Sequence, residues 1–229
     1  MTHVIRDVAS DVDAIVQLGD FGWFPDTSWG IEFIAAIATQ AKRRRVHVHF
    51  IDGNHEDFGD LFFMKEVPEE ADDVTPEGFI RLRSHLNYIP RGTRWEWDGV
   101  SFLALGGAYS IDKDGRIEGR SWWPQEDITD DDVRRCGADP VEVMLTHEAP
   151  MGALDTPSFE SVPMKAHARA SEANRIKIRN VMNDCRPRLL VHAHHHHRYE
   201  TVVGLTRVIG LAGECDNALY RFDTDDLRS

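Results

Sequence analysis

Apolar positions along the chain change period several times, and each change predicts an element. Val4, Ile5, Val8 and Val12 recur at helical spacing, with Asp7, Asp11 and Asp13 mostly on other faces, so the chain opens in a helix. Ala14 to Leu18 follows as a short strand that exits into Gly19-Asp20. Asp26, Thr27 or Ser28 caps a second helix. Its apolar stripe holds Ile31, Ile34, Ile37 and Ala41, and Lys42-Arg43-Arg44-Arg45 closes it. Val46 to Ile51 is a β-branched run of the kind found in buried strands, and it ends at Gly53-Asn54-His55-Glu56. A short helix is expected over Phe58 to Lys65, then an acidic, proline-bearing connection from Glu66 to Gly78.

Beyond that connection the pattern turns to strands and tight turns. His85 to Ile89, Arg94 to Trp97 and Val100 to Leu105 read as strands, the last two joined at Asp98-Gly99. A long loop, Gly106 to Gln125, precedes a capped helix over Asp130 to Arg135. Val141 to Leu145 is a strand leading to His147, and Gly152 to Lys165 a second long loop. Ala168 to Asn183 is helical, and Arg188 to Val191 is a strand leading to Ala193-His194-His195-His196. Short strands near Thr201–Val203, Thr206–Ile209 and Leu219–Phe222 close the chain. Strand–helix alternation followed by meandering strands predicts an α/β fold, two packed mixed sheets flanked by helices. With 229 residues, 41% of them hydrophobic, one domain over 1–229 has enough apolar surface for its core.

Charge and cysteine usage narrow the setting. The formal net charge is −13, so tight nonspecific binding to nucleic acid is disfavoured. Cys136, Cys185 and Cys215 are odd in number and lack any CxxC spacing, which fits reduced thiols in the cytoplasm. The sequence holds no signal-peptide pattern and no apolar run near the ~20 residues of a membrane span. Oligomeric state is left open.

The chemistry gathers at four strand ends: Gly19-Asp20, Gly53-Asn54, His147, and His194 with His196. In an open α/β sheet such ends converge on one crevice. The carboxylate of Asp20, the amide oxygen of Asn54 and the imidazoles of His147, His194 and His196 suit Mn²⁺, Fe or Zn²⁺ better than Ca²⁺ or a thiolate site. Each motif alone has a plainer reading. Gly-Asp and Gly-Asn-His are common turns, a lone histidine is often a solvated loop residue, and His194 to His197 could trap metal at a surface.

Taken together and in order, the turns resemble the calcineurin-like metallophosphoesterase superfamily. Its GD, GNH[DE], lone-histidine and G-H-x-H turns correspond to Gly19-Asp20, Gly53-Asn54-His55-Glu56, Thr146-His147 and Ala193-His194-His195-His196. The resemblance spans roughly Ala14 to Glu200 and implies two packed sheets, a divalent-metal centre and a phosphate-ester substrate. It implies Asp20, Asn54, His147 and His194 as ligands of one well-formed site. His55 would donate a proton to the leaving oxygen. In the family, two metals activate a water and clamp the phosphoryl oxygens.

The chain departs from the family at two places. Ala193 stands where the family has glycine, and the family's opening strand ending in D-x-H is missing. The first metal keeps only Asp20 and His196, so that site is expected to be weakened. A helix where that strand should be favours a truncated or misplaced start; the competing reading is a degenerate binding module with one metal. Trp122 and Trp123 as an aromatic shelf, with Arg120 or Arg116 as phosphate clamp, is a further candidate, against simple packing of the tryptophans under a loop, and Tyr109 has the same two readings. His47 and His49 are expected to line a sheet face, His167 to be a surface group, and His192 to support its neighbours or merely pack.

Overall fold

A computed structural model describes residues 2–8, 11–66, 73–154, 162–213 and 218–227. Cys215, the stretch 67–72 of the acidic connection and 155–161 of the second long loop lie outside the described residues. Two sheets face each other, with helices on their outer sides. The first holds β1 (Ala14–Leu18), β2 (His47–Ile51), β3 (Ile80–Arg83) and β4 (Leu86–Tyr88), in the order β1-β2-β4-β3. The second holds β5 (Arg94–Trp97), β6 (Val100–Leu105), β7 (Val143–Thr146), β8 (Leu189–His192), β9 (Tyr199–Val203) and β10 (Thr206–Gly210), in the order β5-β6-β7-β8-β10-β9. The strands that end in the four turns are parallel neighbours, β1 with β2 and β7 with β8. Within each sheet the two carboxyl ends therefore face the same way.

Three apolar clusters fill the layers. Leu18, Ile51, Phe102, Leu145, Val191 and Ile209 interlock between the sheets. Ile34, Ile37 and Ala41 of α2 (Ser28–Arg44) pack on Val48, Phe50 and Tyr88 outside the first sheet. Ile178, Val181 and Met182 of α5 (Val162–Cys185) pack on Leu103, Met144 and Leu190 outside the second. The expected two-sheet α/β sandwich is thus the fold observed.

Local chemistry explains the helix ends. Thr27 caps α2 by accepting the Gly30 N–H, and Arg45 closes it in a left-handed conformation. Thr129 and Asp132 form a reciprocal capping box on α4 (Asp130–Cys136). α1 (Thr2–Val8) covers Val4, Ile5 and Val8 of the expected helical face but not Val12, and α3 (Phe58–Glu66) stands where the short helix was expected.

Some expectations need correction. β3 was not anticipated, although Ile80-Arg81-Leu82-Arg83 alternates buried and exposed. α5 starts at Val162, six residues before the expected boundary. Leu219 to Phe222 forms no strand. Its aromatics find partners without a ladder: Tyr220 packs at a tilt against Phe222 and sits beneath the Arg198 and Arg207 guanidinium groups, and Phe222 reaches Phe102. His167 is buried and hydrogen-bonded to the Tyr109 hydroxyl at 2.8 Å, so it is not a surface group. Cys136 and Cys185 are buried free thiols.

His47 and His49 do share a face of β2, where their rings lie 6.0 Å apart. Burial first, and then His47, lower the His49 pKa to about 4. The Asn87 amide lies 3.2 Å from its Nδ1 and donates to the neutral ring. An unfolded histidine titrates near ~6.5, so below that pH the unfolded chain takes up a proton that the folded chain refuses. Stability should therefore fall as pH drops from about 6.5 towards 4. The urea midpoint is expected to be lower at pH 5 than at pH 7, with a shallower pH dependence in His49→Leu. Equal pH dependence in the two proteins would count against this.

Candidate metal centre

Two glycines let the strand ends approach one another. A Cβ on Gly53 would overlap the Asp20 carboxylate, and one on Gly19 would overlap the His147 ring. Gly19 and Asp20 both have positive φ, +84° and +51°, and aspartate tolerates that region better than most residues.

Glu56 ties the two turns of the first sheet together. Its carboxylate is fully buried and accepts the N–H groups of Phe21 (2.8 Å), Gly22 (2.9 Å), Trp23 (3.0 Å) and Gly53 (3.3 Å). Burial and the nearby Asp20 push its pKa up, while the N–H donors pull it back. One residue before Gly53, Asp52 is held by Arg91 at 2.6 Å and by the Tyr88 hydroxyl at 2.8 Å. Arg91 also reaches Asp132 at 3.1 Å and the carbonyls of Gln125 and Asp127 at 2.8 and 2.9 Å. The Gly53 turn is therefore anchored from below.

The ligand-type atoms meet above it. His147 Nδ1–H donates to the Leu18 carbonyl at 2.6 Å, so the neutral ring presents its Nε2 lone pair. That nitrogen lies 3.1 Å from Asn54 Oδ1 and 3.4 Å from Asp20 Oδ1. The Asn54 amide is oriented by its Nδ2, which donates to Ser110 Oγ at 2.8 Å, and Ser110 donates in turn to Glu126. Asp20 Oδ1 accepts the Asn54 N–H at 3.0 Å. Burial alone would raise the Asp20 pKa, but His147, His55 and that N–H outweigh it and bring the pKa down. His194 completes the group: Asp20, His147 and His194 place ligand atoms within 4.8 Å of one another. Burial lowers the His194 pKa to about 4, which leaves the ring neutral and able to ligate. Lone pairs converging on one point repel unless a cation sits among them, so these residues fit a divalent metal.

The remaining candidates lie around this group. His55 is exposed beside it, and its Nε2 accepts from Arg116 Nη2 at 3.0 Å. Arg116 also donates to the Asn54 carbonyl at 3.1 Å and pairs with Asp112 at 2.8 Å. His196 is exposed and belongs to neither group of metal-capable side chains among the described residues. Arg120 is exposed in the turn after Ile117. Trp122 and the buried Tyr109 lie beneath the Lys113 ammonium, 5.5 and 5.0 Å away. His192 is buried, with Nε2 2.5 Å from the Tyr199 hydroxyl.

Sequence reasoning missed Glu148 and His195, which pair at 2.6 Å. It also missed Ser110, Glu126 and the Asp52–Arg91 pair. The signal for Glu148 was a carboxylate directly after a strand-end histidine.

A model of the calcineurin-like phosphoesterase family matches residues 2–198, and the chain belongs to that family of metal-dependent hydrolases acting on phosphate esters. One crystal structure shares the fold with a TM-score of 0.53 at 12% identity, over 92% of this chain and 83% of its own. The phosphopantetheinyl hydrolase of Mycobacterium tuberculosis aligns with a TM-score of 0.51 at 12% identity, over 90% of this chain and 84% of that one. A 5'-nucleotidase-type structure from Staphylococcus aureus, in complex with alpha-ketoglutarate, gives 0.48 at 13% identity over 92% and 42%. At these identities the likeness is one of fold. No curated protein matches by sequence. Among the described residues no helix is long and apolar enough to cross a membrane.

Proposed function

We propose that this chain, a single domain over 1–229, hydrolyses a small phosphate mono- or diester at the crevice formed by Asp20, Asn54, His147 and His194. The observation that carries the reading is the convergence of the Asp20, Asn54 and His147 lone pairs on one point, with His55 beside it. When bound there, a divalent cation such as Mn²⁺, Fe or Zn²⁺ would supply an activated water and neutralise charge on the phosphoryl oxygens. The net charge of −13 favours small substrates over long polyanions. The two buried free thiols suit a reducing cytoplasm.

The chain's own residues do the positioning. The Leu18 carbonyl fixes the His147 tautomer, and Ser110 with Glu126 fixes which end of the Asn54 amide faces the centre. His55 accepts from Arg116, so its neutral ring carries the proton on Nδ1. In that state it stabilises the leaving oxygen by hydrogen bonding. Moving Arg116 onto the substrate's phosphoryl oxygens frees Nε2, and His55 can then take a proton there and pass that one proton to the leaving oxygen, returning to the neutral ring. Arg120, Trp122 and Tyr109 are the adjoining side chains proposed to meet the rest of the substrate.

The test is metal-dependent hydrolysis of bis(p-nitrophenyl) phosphate and of an alkyl phosphodiester by the native chain and by His55→Ala. An aryl leaving group needs little protonation, so its rate should fall only ~10-fold, whereas the alkyl ester should lose ~10²-fold or more. Equal losses for both esters would remove the leaving-group role from His55. No metal-dependent turnover by the native chain would favour a second reading, a binding module with one metal. That reading draws on the position of His196 outside the ligand group.

A further inference from the structure

Glu148 is buried with its bonding incomplete. Oε1 accepts the Ala149 N–H at 2.7 Å and lies 2.6 Å from His195 Nε2. Oε2 is buried without a hydrogen-bond partner and lies 3.8 Å from His194 Nε2. Leaving a buried acceptor unpaired costs ~1–3 kcal/mol, and more for a charged group. The surroundings answer that cost with ligand-type atoms: Glu148, His194 and His195 place theirs within 4.8 Å of one another.

We infer that these three side chains form a second cation site next to the Asp20 group. One carboxylate and two imidazoles with open remaining positions suit Zn²⁺ or Fe²⁺. The turn after β7 gives His147 to one group and Glu148 to the other. His194 belongs to both; its neutral ring has one lone pair, so serving two cations at once requires the second ring proton to be released to solvent as the second cation binds. The assignment leaves His196 out and uses His195, the residue between the two histidines of the G-H-x-H pattern.

This site is independent of the hydrolytic reading, since it needs only equilibrium metal binding. The metal-free chain is titrated with Co²⁺ at pH 7.5, following visible absorption, with metal content counted after gel filtration. The native chain should bind two equivalents. His195→Gln and Glu148→Gln should each retain one, Asp20→Asn should lose the other, and His194→Gln should weaken both. Glu148 is wholly buried and its variant can misfold, so the half-exposed His195 variant carries the decision. One equivalent or none in the native chain, or two retained in folded His195→Gln, would overturn the inference.

Discussion

Replacing Asp20 by Asn is expected to reduce metal-dependent ester hydrolysis by about 10³-fold or more while leaving the fold intact. The size follows from what the carboxylate does. It is the one anionic side chain in the Asp20–His147–His194 group, and its charge holds a cation that contributes several kcal/mol to the transition state. The fold should survive for two reasons. Asp20 has φ of +51°, a conformation asparagine adopts nearly as readily, and the asparagine carbonyl can still accept the Asn54 N–H. Asp20 also pushes the buried Glu56 up, so neutralising it relieves a repulsion. Thermal melting of the metal-free variant should therefore match or exceed that of the native chain. Native-like turnover with Mn²⁺ in a well-folded variant would remove Asp20 from the site.

The second large effect is on stability. Arg91 and Asp52 are both fully buried, and Arg91 also neutralises the buried Asp132. Arg91→Leu leaves the buried Asp52 without its cation, while Asp132 keeps its pair with Arg135, and breaking such a buried arrangement costs about 3–5 kcal/mol. In a chain of this size that lowers Tm by roughly 6–20 °C. Adding Asp52→Asn should recover part of the loss, because the two residues are coupled directly. A single variant melting within a degree or two of the native chain would mean that water or rearrangement replaces the pair.

The contrast between these residues shows what could be read from the chain. Asp20, Asn54, His147 and His194 were legible because each follows a short apolar run, and strand ends in an α/β sheet converge. Arg91 and Asp52 were not, since they are 39 positions apart and neither carries a local pattern. Glu56 was visible only as the last letter of a motif, and its four N–H donors come from two separate turns. The two-sheet architecture followed from the alternation of periods. The fate of Leu219 to Phe222 did not, because the same aromatic alternation serves a ladder or a surface clasp equally well.

Glu56 has one more consequence. By accepting N–H groups from both the Phe21–Trp23 segment and Gly53, it makes the two turns a single body. The ions and esters of the proposed function would then meet a mould already cast, with less chain entropy to remove on binding. Under the proposed reading, selection among ligands would then fall mainly to charge and donor chemistry.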